Sequence, residues 1–135
     1  MKKTLLKVEN ISIYLKKKNI KNCLVENISF ELKEGECLGI LGESGSGKSL
    51  TCKSIMGLLD SKTFFIEGKA IYNGENLLEC RGEELRKLRG KEIALILQNP
   101  MTCFDPLYTV GYQIAETFTE HTSYSAEEIK KKSIE

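Results

Sequence analysis

A lysine and a serine close an octet of mostly small residues, Gly42-Glu43-Ser44-Gly45-Ser46-Gly47-Lys48-Ser49. The octet fills every fixed position of the spacing G-x-x-x-x-G-K-[ST]. Glycines at these positions let the backbone turn so that successive N–H groups face one centre, a concavity that attracts anions. A helix starting at the end of the octet would add its unsatisfied amides and the positive end of its dipole. In that geometry Lys48 would reach the β- and γ-phosphates, and the Ser49 hydroxyl would ligate Mg²⁺. The expected guest is a nucleoside triphosphate with Mg²⁺.

The elements flanking the octet must supply that geometry. Before it runs Glu36-Cys37-Leu38-Gly39-Ile40-Leu41, a short apolar stretch that reads as a buried parallel strand. After it, Leu50, Ile55, Met56, Leu58 and Leu59 predict a helix with one buried side, ending at Asp60-Ser61. A flexible Gly/Ser linker, the plain alternative, has neither flank.

The chain of 135 residues has the length of one ordinary domain. Its composition, 41% hydrophobic and 29% charged, is that of a globular protein and not of a disordered one. Lys+Arg 20 against Asp+Glu 19 leave a net charge of +1, which argues against a nucleic-acid-binding face. The basic clusters Lys16-Lys17-Lys18 and Lys130-Lys131-Lys132 read as a solvated turn and a solvated helix face. No apolar run approaches the roughly 20 residues that span a bilayer, and the start lacks the apolar region of a signal peptide. A cytoplasmic location is expected. Cys23, Cys37, Cys52, Cys80 and Cys103 are odd in number and form no C-x-x-C pair, which suggests reduced thiols. With a single histidine, His121, they do not suggest a metal site.

Along the chain, residues 5–15 and 24–32 alternate partially and read as strands joined by a polar, hairpin-like connection over 16–22. Phe64-Phe65-Ile66 and Lys69-Ala70-Ile71-Tyr72, closed by Asn73-Gly74, add antiparallel strand material. Leu85 and Leu88 predict a short helix over 82–90. Residues 92–97 form a second candidate for a buried parallel strand, ended by Gln98-Asn99-Pro100. Val110, Ile114, Ala115 and Phe118 mark a further helix, and Ser125 with Glu128 fits a capping box opening another.

The chain resembles the ATP-binding subunits of ABC transporters, in particular the dipeptide, oligopeptide and nickel importer group. The likeness is carried by residues 38–49, by Ile55-Met56-Gly57-Leu58-Leu59, and by residues 88–101. Phe104-Asp105-Pro106 and Thr109-Val110-Gly111 continue it in the family's order. The resemblance implies an α/β fold. It would be a P-loop NTPase (ABC ATPase) core with an N-terminal antiparallel β-subdomain, incomplete on the C-terminal side: residues 1–109 would be the N-terminal part of the ATPase domain, with the antiparallel strands, the phosphate loop with its strand and helix, and the Q-loop, and 110–135 would begin the helical subdomain. It implies ATP and Mg²⁺ as ligands. Residues 42–49 would hold the phosphates, with Ser49 and the Q-loop glutamine Gln98 at Mg²⁺ or its water. The adenine would meet Tyr14 or Leu15, because the family places an aromatic residue just past the first strand. The implied partners are membrane-spanning permease subunits, a second ATP-binding subunit and, indirectly, an extracytoplasmic solute-binding protein. The implied place is the cytoplasmic face of the membrane, and the implied role is import of a peptide or a nickel or other metal complex.

Three parts of the family's catalytic equipment have no counterpart in these residues. The carboxylate-bearing Walker B strand is missing, since neither Asp60 nor Asp105 ends a four-residue apolar run. No Ser-Gly-Gly of a signature occurs, and His121 stands too early for the switch histidine and reads as surface helix. The catalytic set is therefore expected to be incomplete, and the chain to lack turnover by itself. A nucleotide-binding remnant without a transport role stands as the alternative. A DNA-repair ATPase or a kinase fits less well with the near-neutral charge and the antiparallel strands ahead of the octet.

Overall fold

A computed structural model describes residues 2–17 and 20–134. They divide into two compact units, Met1–Leu85 and Arg86–Glu135.

The first unit is built on an antiparallel sheet. Its strands are β1 (Thr4–Lys17), β2 (Ile20–Lys33), β3 (Phe64–Tyr72) and β4 (Glu75–Asn76), in the spatial order β2-β1-β3-β4. The expected hairpin is present and tighter than its polar residues suggested: the ladder continues to Lys17 opposite Ile20. Lys18 and Asn19 lie outside the described residues. The two stretches expected near 64–72 are one continuous strand. It turns at Asn73 and Gly74, both at positive φ (48° and 91°), into β4.

β1 and β2 are too long to run regularly, and two Asn–Ser clasps absorb their irregularities. Asn10 and Asn27 both sit at φ 50°, a conformation Asn tolerates better than most residues. The Asn10 amide donates to Ser29 Oγ at 2.8 Å and the Asn27 amide to Ser12 Oγ at 2.9 Å, which replaces the ladder bonds lost there. On β3 the same place demands Gly68. A Cβ there would lie 2.6 Å from the carbonyl oxygens of both Glu9 and Asn10, at φ +100°. Val8, Ile11, Ile13, Val25 and Ala70 bury their side chains around this junction, with Ile55 and Leu77.

Helix α1 (Lys48–Ile55) buries Thr51, Ser54 and Ile55. It ends earlier than its apolar pattern predicts, leaving Leu58 and Leu59 outside. Gly57 at φ 63° closes a Schellman turn, in which Gly57 N–H donates to Ser54 O (3.0 Å) and Leu58 N–H to Lys53 O (2.9 Å). The left-handed glycine outweighs the hydrophobic periodicity. Asp60 organises the following turn, accepting from the Lys62 amide and the Thr63 hydroxyl, and these bonds hold its carboxyl below the usual range.

The two expected parallel strands are not formed. Residues 36–43 carry no ladder, and Leu41 is 96% exposed. Residues 94–97 carry none either; an isolated bridge joins Arg89 to Ile93, and Ile96 is 90% exposed. A parallel strand exists only through neighbours that complete its hydrogen bonds and cover both faces. Among the described residues no strand pairs with either segment.

Helix α2 (Glu83–Leu88) spans the division between the units. The second unit continues through a 3-10 turn at Pro100–Cys103 to α3 (Val110–His121) and α4 (Ala126–Lys132). Both helices start as their sequence dictates. Thr109 Oγ1 accepts from the Tyr112 amide, and Ser125 and Glu128 form the full capping box.

Replacing Gly68 with Ala adds an unfavourable left-handed conformation to a backbone clash. It should lower stability by about 2–4 kcal/mol, read as a fall in the denaturant midpoint. The capping box has its own pH signature. The Ser125 amide and hydroxyl lower the Glu128 pKa below the ordinary 4.5. Its contribution is therefore complete above that value and is lost as pH falls through the lower folded value. An NMR titration of the Glu128 carboxyl should show a midpoint below 4.5, and Ser125→Ala should raise it.

Candidate functional site

The octet is one continuous structure at the entrance to α1. Chain leaving β2 turns at Glu34 and Gly35, with Glu36 Oε2 accepting from the Lys33 amide at 2.9 Å. The segment over 36–41 then leads to Gly42 and the loop. A turn follows, with the Ser46 amide on Glu43 O at 3.2 Å and Gly45 at φ 83°. Gly47, at φ 92° and ψ 3°, swings the backbone into the helix. A Cβ on Gly47 would sit 2.5 Å from Val25 Cγ2, and one on Gly42 would sit 2.6 Å from Ser46 Oγ. Gly47 is required both by its left-handed backbone and by this approach to the buried Val25, whereas at Gly42 a rotation of the Ser46 hydroxyl would relieve the contact. The Gly47–Val25 contact, which ties the loop to the sheet, is not visible in the octet itself.

Lys48 opens α1 and folds back over the loop. Its ammonium donates to Gly42 O and Glu43 O, both at 2.7 Å, and to Ser46 Oγ at 3.2 Å. All three acceptors are neutral oxygens, so these bonds orient the cation without cancelling its charge. Beneath it the helix is anchored. The Thr51 hydroxyl donates to Gly47 O at 3.0 Å, and the fully buried Ser54 hydroxyl donates to Thr51 O at 2.7 Å.

The N-terminus of α1 differs chemically from those of α3 and α4. Gly47 supplies no capping side chain, where α3 and α4 each have one; the first turn of α1, like that of α3, carries no acidic residue. The orphan amides of that turn and the positive end of the dipole are left for an external anion. Ser49, exposed at the second helical position, presents a hard hydroxyl oxygen of the kind Mg²⁺ takes beside phosphate oxygens. The cradle has no room for a side chain at Gly47, and its free amides, Lys48 and Ser49 fit a Mg²⁺-bound polyphosphate.

The remaining candidates are placed differently. Tyr14 is half-buried in β1, opposite Cys23 and Phe65, its ring tilted 34° against Phe65 at 6.1 Å between centroids. Leu15, also half-buried, stands opposite Asn22 and Phe64. Gln98 belongs to the second unit, exposed in the bend before Pro100. His121 ends α3 half-buried instead of lying fully on its surface; a Cβ at Gly90 would come within 2.7 Å of its Nε2. The loop after Gln98 is fastened by Gln113, whose side chain escapes sequence reasoning. Its Oε1 accepts from the Asp105 amide at 2.8 Å, and its Nε2 donates to Asp105 O at 3.0 Å and Tyr108 O at 3.1 Å. The only sequence signal for this staple is a glutamine in the first turn of α3.

Known proteins share this pattern. The family described as ABC transporter matches residues 25–134. The metal-staphylopine import system ATP-binding protein CntD of Staphylococcus aureus (strain NCTC 8325 / PS 47) is 47% identical over 112 residues, covering 83% of this chain and 41% of CntD. The dipeptide transport ATP-binding protein DppD of Escherichia coli (strain K12) is 42% identical, covering 87% of this chain and 36% of DppD. The oligopeptide transport ATP-binding protein OppD of Bacillus subtilis (strain 168) is 38% identical, covering 97% and 37%. The chain thus spans about two-fifths of the length of these relatives. Among solved structures, a dimeric post-hydrolysis state of the ATP-binding cassette MJ0796 bound to ADP and Pi superposes with a TM-score of 0.79 at 25% identity. It covers 96% of this chain and 54% of that one. With a family match running from Val25, the residue beneath the loop, almost to the end, the chain belongs to the ABC transporter family.

Proposed function

We propose that this chain is the nucleotide-binding portion of an ATP-binding subunit in an importer, where ATP binding and hydrolysis drive passage of a peptide or of a nickel or other metal complex. One observation carries the reading: the Lys48 ammonium, held by neutral oxygens, stands over a helix N-terminus with no capping side chain. That pairing suits a polyphosphate anion. The relatives' names, which speak of dipeptides, oligopeptides and metal-staphylopine, support the cargo class.

In this reading the amides of residues 43–49 hold the phosphates and Lys48 spans the two outer ones. By the family resemblance the Ser49 hydroxyl would serve Mg²⁺, and Gln98 would serve the ion or its water. Mg²⁺ itself supplies charge neutralisation between the phosphates. Phosphoryl transfer asks chiefly for positioning and electrostatic stabilisation, and these residues provide part of each. No residue of the 135 matches the carboxylate that orients water, the signature or the switch histidine. We assign those roles to sequence beyond these residues or to a second ATP-binding subunit facing the loop. Permease subunits are the membrane partners, a solute-binding protein the indirect one, and the cytoplasmic face of the membrane the place. No helix among the described residues is long and apolar enough to cross a membrane. The rival reading, a remnant with no transport role, is favoured by the unpaired segments at 36–43 and 94–97. The coding sequence past Glu135 separates the two: a continuing frame with a signature and a Walker B segment supports the transporter subunit.

Calorimetric titration of the 135-residue chain should detect Mg·ATP binding. Lys48→Ala should weaken it about 10- to 100-fold, the worth of charge-assisted hydrogen bonds of about 1.5–3 kcal/mol. The same preparation should show no ATP turnover above background. Hydrolysis that disappears in Lys48→Ala would refute the incompleteness of its catalytic set.

A further inference from the structure

We propose that a cavity at the far end of α1 from the phosphate loop takes a short amphipathic carboxylate, its acyl tail of about eight carbons inside and its carboxylate with Lys16 and Arg81. The inference stands apart from what residues 42–49 bind.

The cavity measures about 260 Å³, and all its lining residues lie within the first unit. β3 supplies Phe64 and Ile66, and the C-terminal end of α1 supplies Ser54 and Gly57. The chain after β4 supplies Leu77, Leu78 and, in α2, Leu85. Each wall is fastened by hydrogen bonds of its own. The Leu77 amide donates to Ala70 O at 2.8 Å, while Asn76 Oδ1 accepts from the Ala70 and Leu78 amides at 3.1 and 3.3 Å. These bonds hold the segment after β4 against β3, and the Schellman turn at Gly57 holds the end of the helix. Lys16 ties down the turn before β3, its amide donating to Thr63 O at 2.8 Å and its ammonium to Ser61 O at 2.7 Å. Walls secured in this way resist collapse, so the space is formed in advance of any guest.

Inside, the polar groups are already engaged. The buried Ser54 hydroxyl donates to Thr51 O at 2.7 Å, and the Cys80 thiol donates to Asn76 O at 3.4 Å. Burial pushes that thiol above its ordinary value, so it stays neutral. Among the described residues no buried side-chain nitrogen or oxygen lacks a partner. Such an interior offers water little and suits hydrocarbon. The charged residues on the lining, among those described, are Lys16 and Arg81, both basic and exposed. The Lys16 ammonium rests on a neutral carbonyl and keeps its charge. The acids next to these cations are engaged elsewhere: Asp60 on the Lys62 amide and the Thr63 hydroxyl, Glu84 on the Arg81 backbone amide at 3.2 Å. An apolar interior with two cations beside it calls for a hydrocarbon body carrying one negative charge. As to size, an apolar cavity of about 150 Å³ admits a benzene ring. The larger volume here suits a medium-chain acid.

Methyl and amide NMR of the 135-residue chain during addition of octanoate, octanol, octylammonium and butyrate tests the proposal. Octanoate should give saturable shifts on the Ile66, Leu77, Leu78 and Leu85 methyls. Exposed cations each contribute about two- to fivefold to the affinity for an anion. Octanoate should therefore bind about tenfold more tightly than octanol, and octylammonium more weakly than either. Butyrate, four methylenes shorter, should bind at least about tenfold more weakly than octanoate. Lys16→Gln/Arg81→Gln should bring octanoate to the affinity of octanol and leave octanol unchanged. Saturating Mg·ATP should not displace octanoate. The comparison of head groups on the unmodified chain needs no variant to fold. Octanol or octylammonium binding as tightly as octanoate, shifts away from the cavity, displacement by Mg·ATP, or no saturable shift at all would each overturn the proposal and leave the phosphate-loop reading untouched.

Discussion

The absence of a side chain at Gly47 is the constraint on which the rest of the site depends. At φ 92° the residue leads the turn at 43–46 into the helix, and its bare Cα lets the backbone rest on Val25. Any L side chain there would meet both a left-handed penalty and the Val25 methyl. Through that contact the loop inherits the position of β2, and through the Val25–Ile13 pairing it inherits that of β1. Lys48 follows immediately and closes the loop from the other side, on the carbonyls of Gly42 and Glu43. Steric contact fixes the loop to the sheet, and hydrogen bonds fix it to itself.

Electrostatics give that rigid loop a purpose. Stable helices complete their first turn, as Thr109 and Ser125 do for α3 and α4. Helix α1 leaves its first turn without a side-chain cap and adds a lysine whose partners carry no negative charge. Position 47 cannot carry a capping side chain, because its left-handed backbone and its contact with Val25 admit only glycine. Local rules tend to be broken where function requires it, and here the break leaves a vacancy that suits an anion.

Local features were legible in the sequence and non-local ones were not. The Ser125–Glu128 box and the Asn73-Gly74 turn depend on residues within a few positions of one another, and each forms as read; the octet turns into its helix at Gly47 for equally local reasons, though without the strand expected ahead of it. The segments at 36–41 and 92–97 have the composition of buried strands, yet strand formation needs partners that composition cannot provide. The helix after the octet was overextended because Leu58 and Leu59 continue its apolar pattern, while Gly57 ends it through backbone geometry alone. The choice between Tyr14 and Leu15 stayed open for the same reason. Only the ladder reveals which face each occupies, and β2 slips by one residue at Leu24, between the partners of Ile13 and Tyr14. Gln98 is a candidate through family resemblance alone, since its own surroundings, an exposed bend, do not single it out.

The central claim is that residues 42–49 form an anion cradle seated on Val25. Amide and methyl NMR of the labelled chain during addition of Mg·ATP tests it most directly. The account predicts that the largest shifts fall on the amides of Gly45, Gly47, Lys48 and Ser49, accompanied by the Val25 methyls. Unmoved loop amides at saturating nucleotide, or shifts confined to residues 86–134, would contradict it.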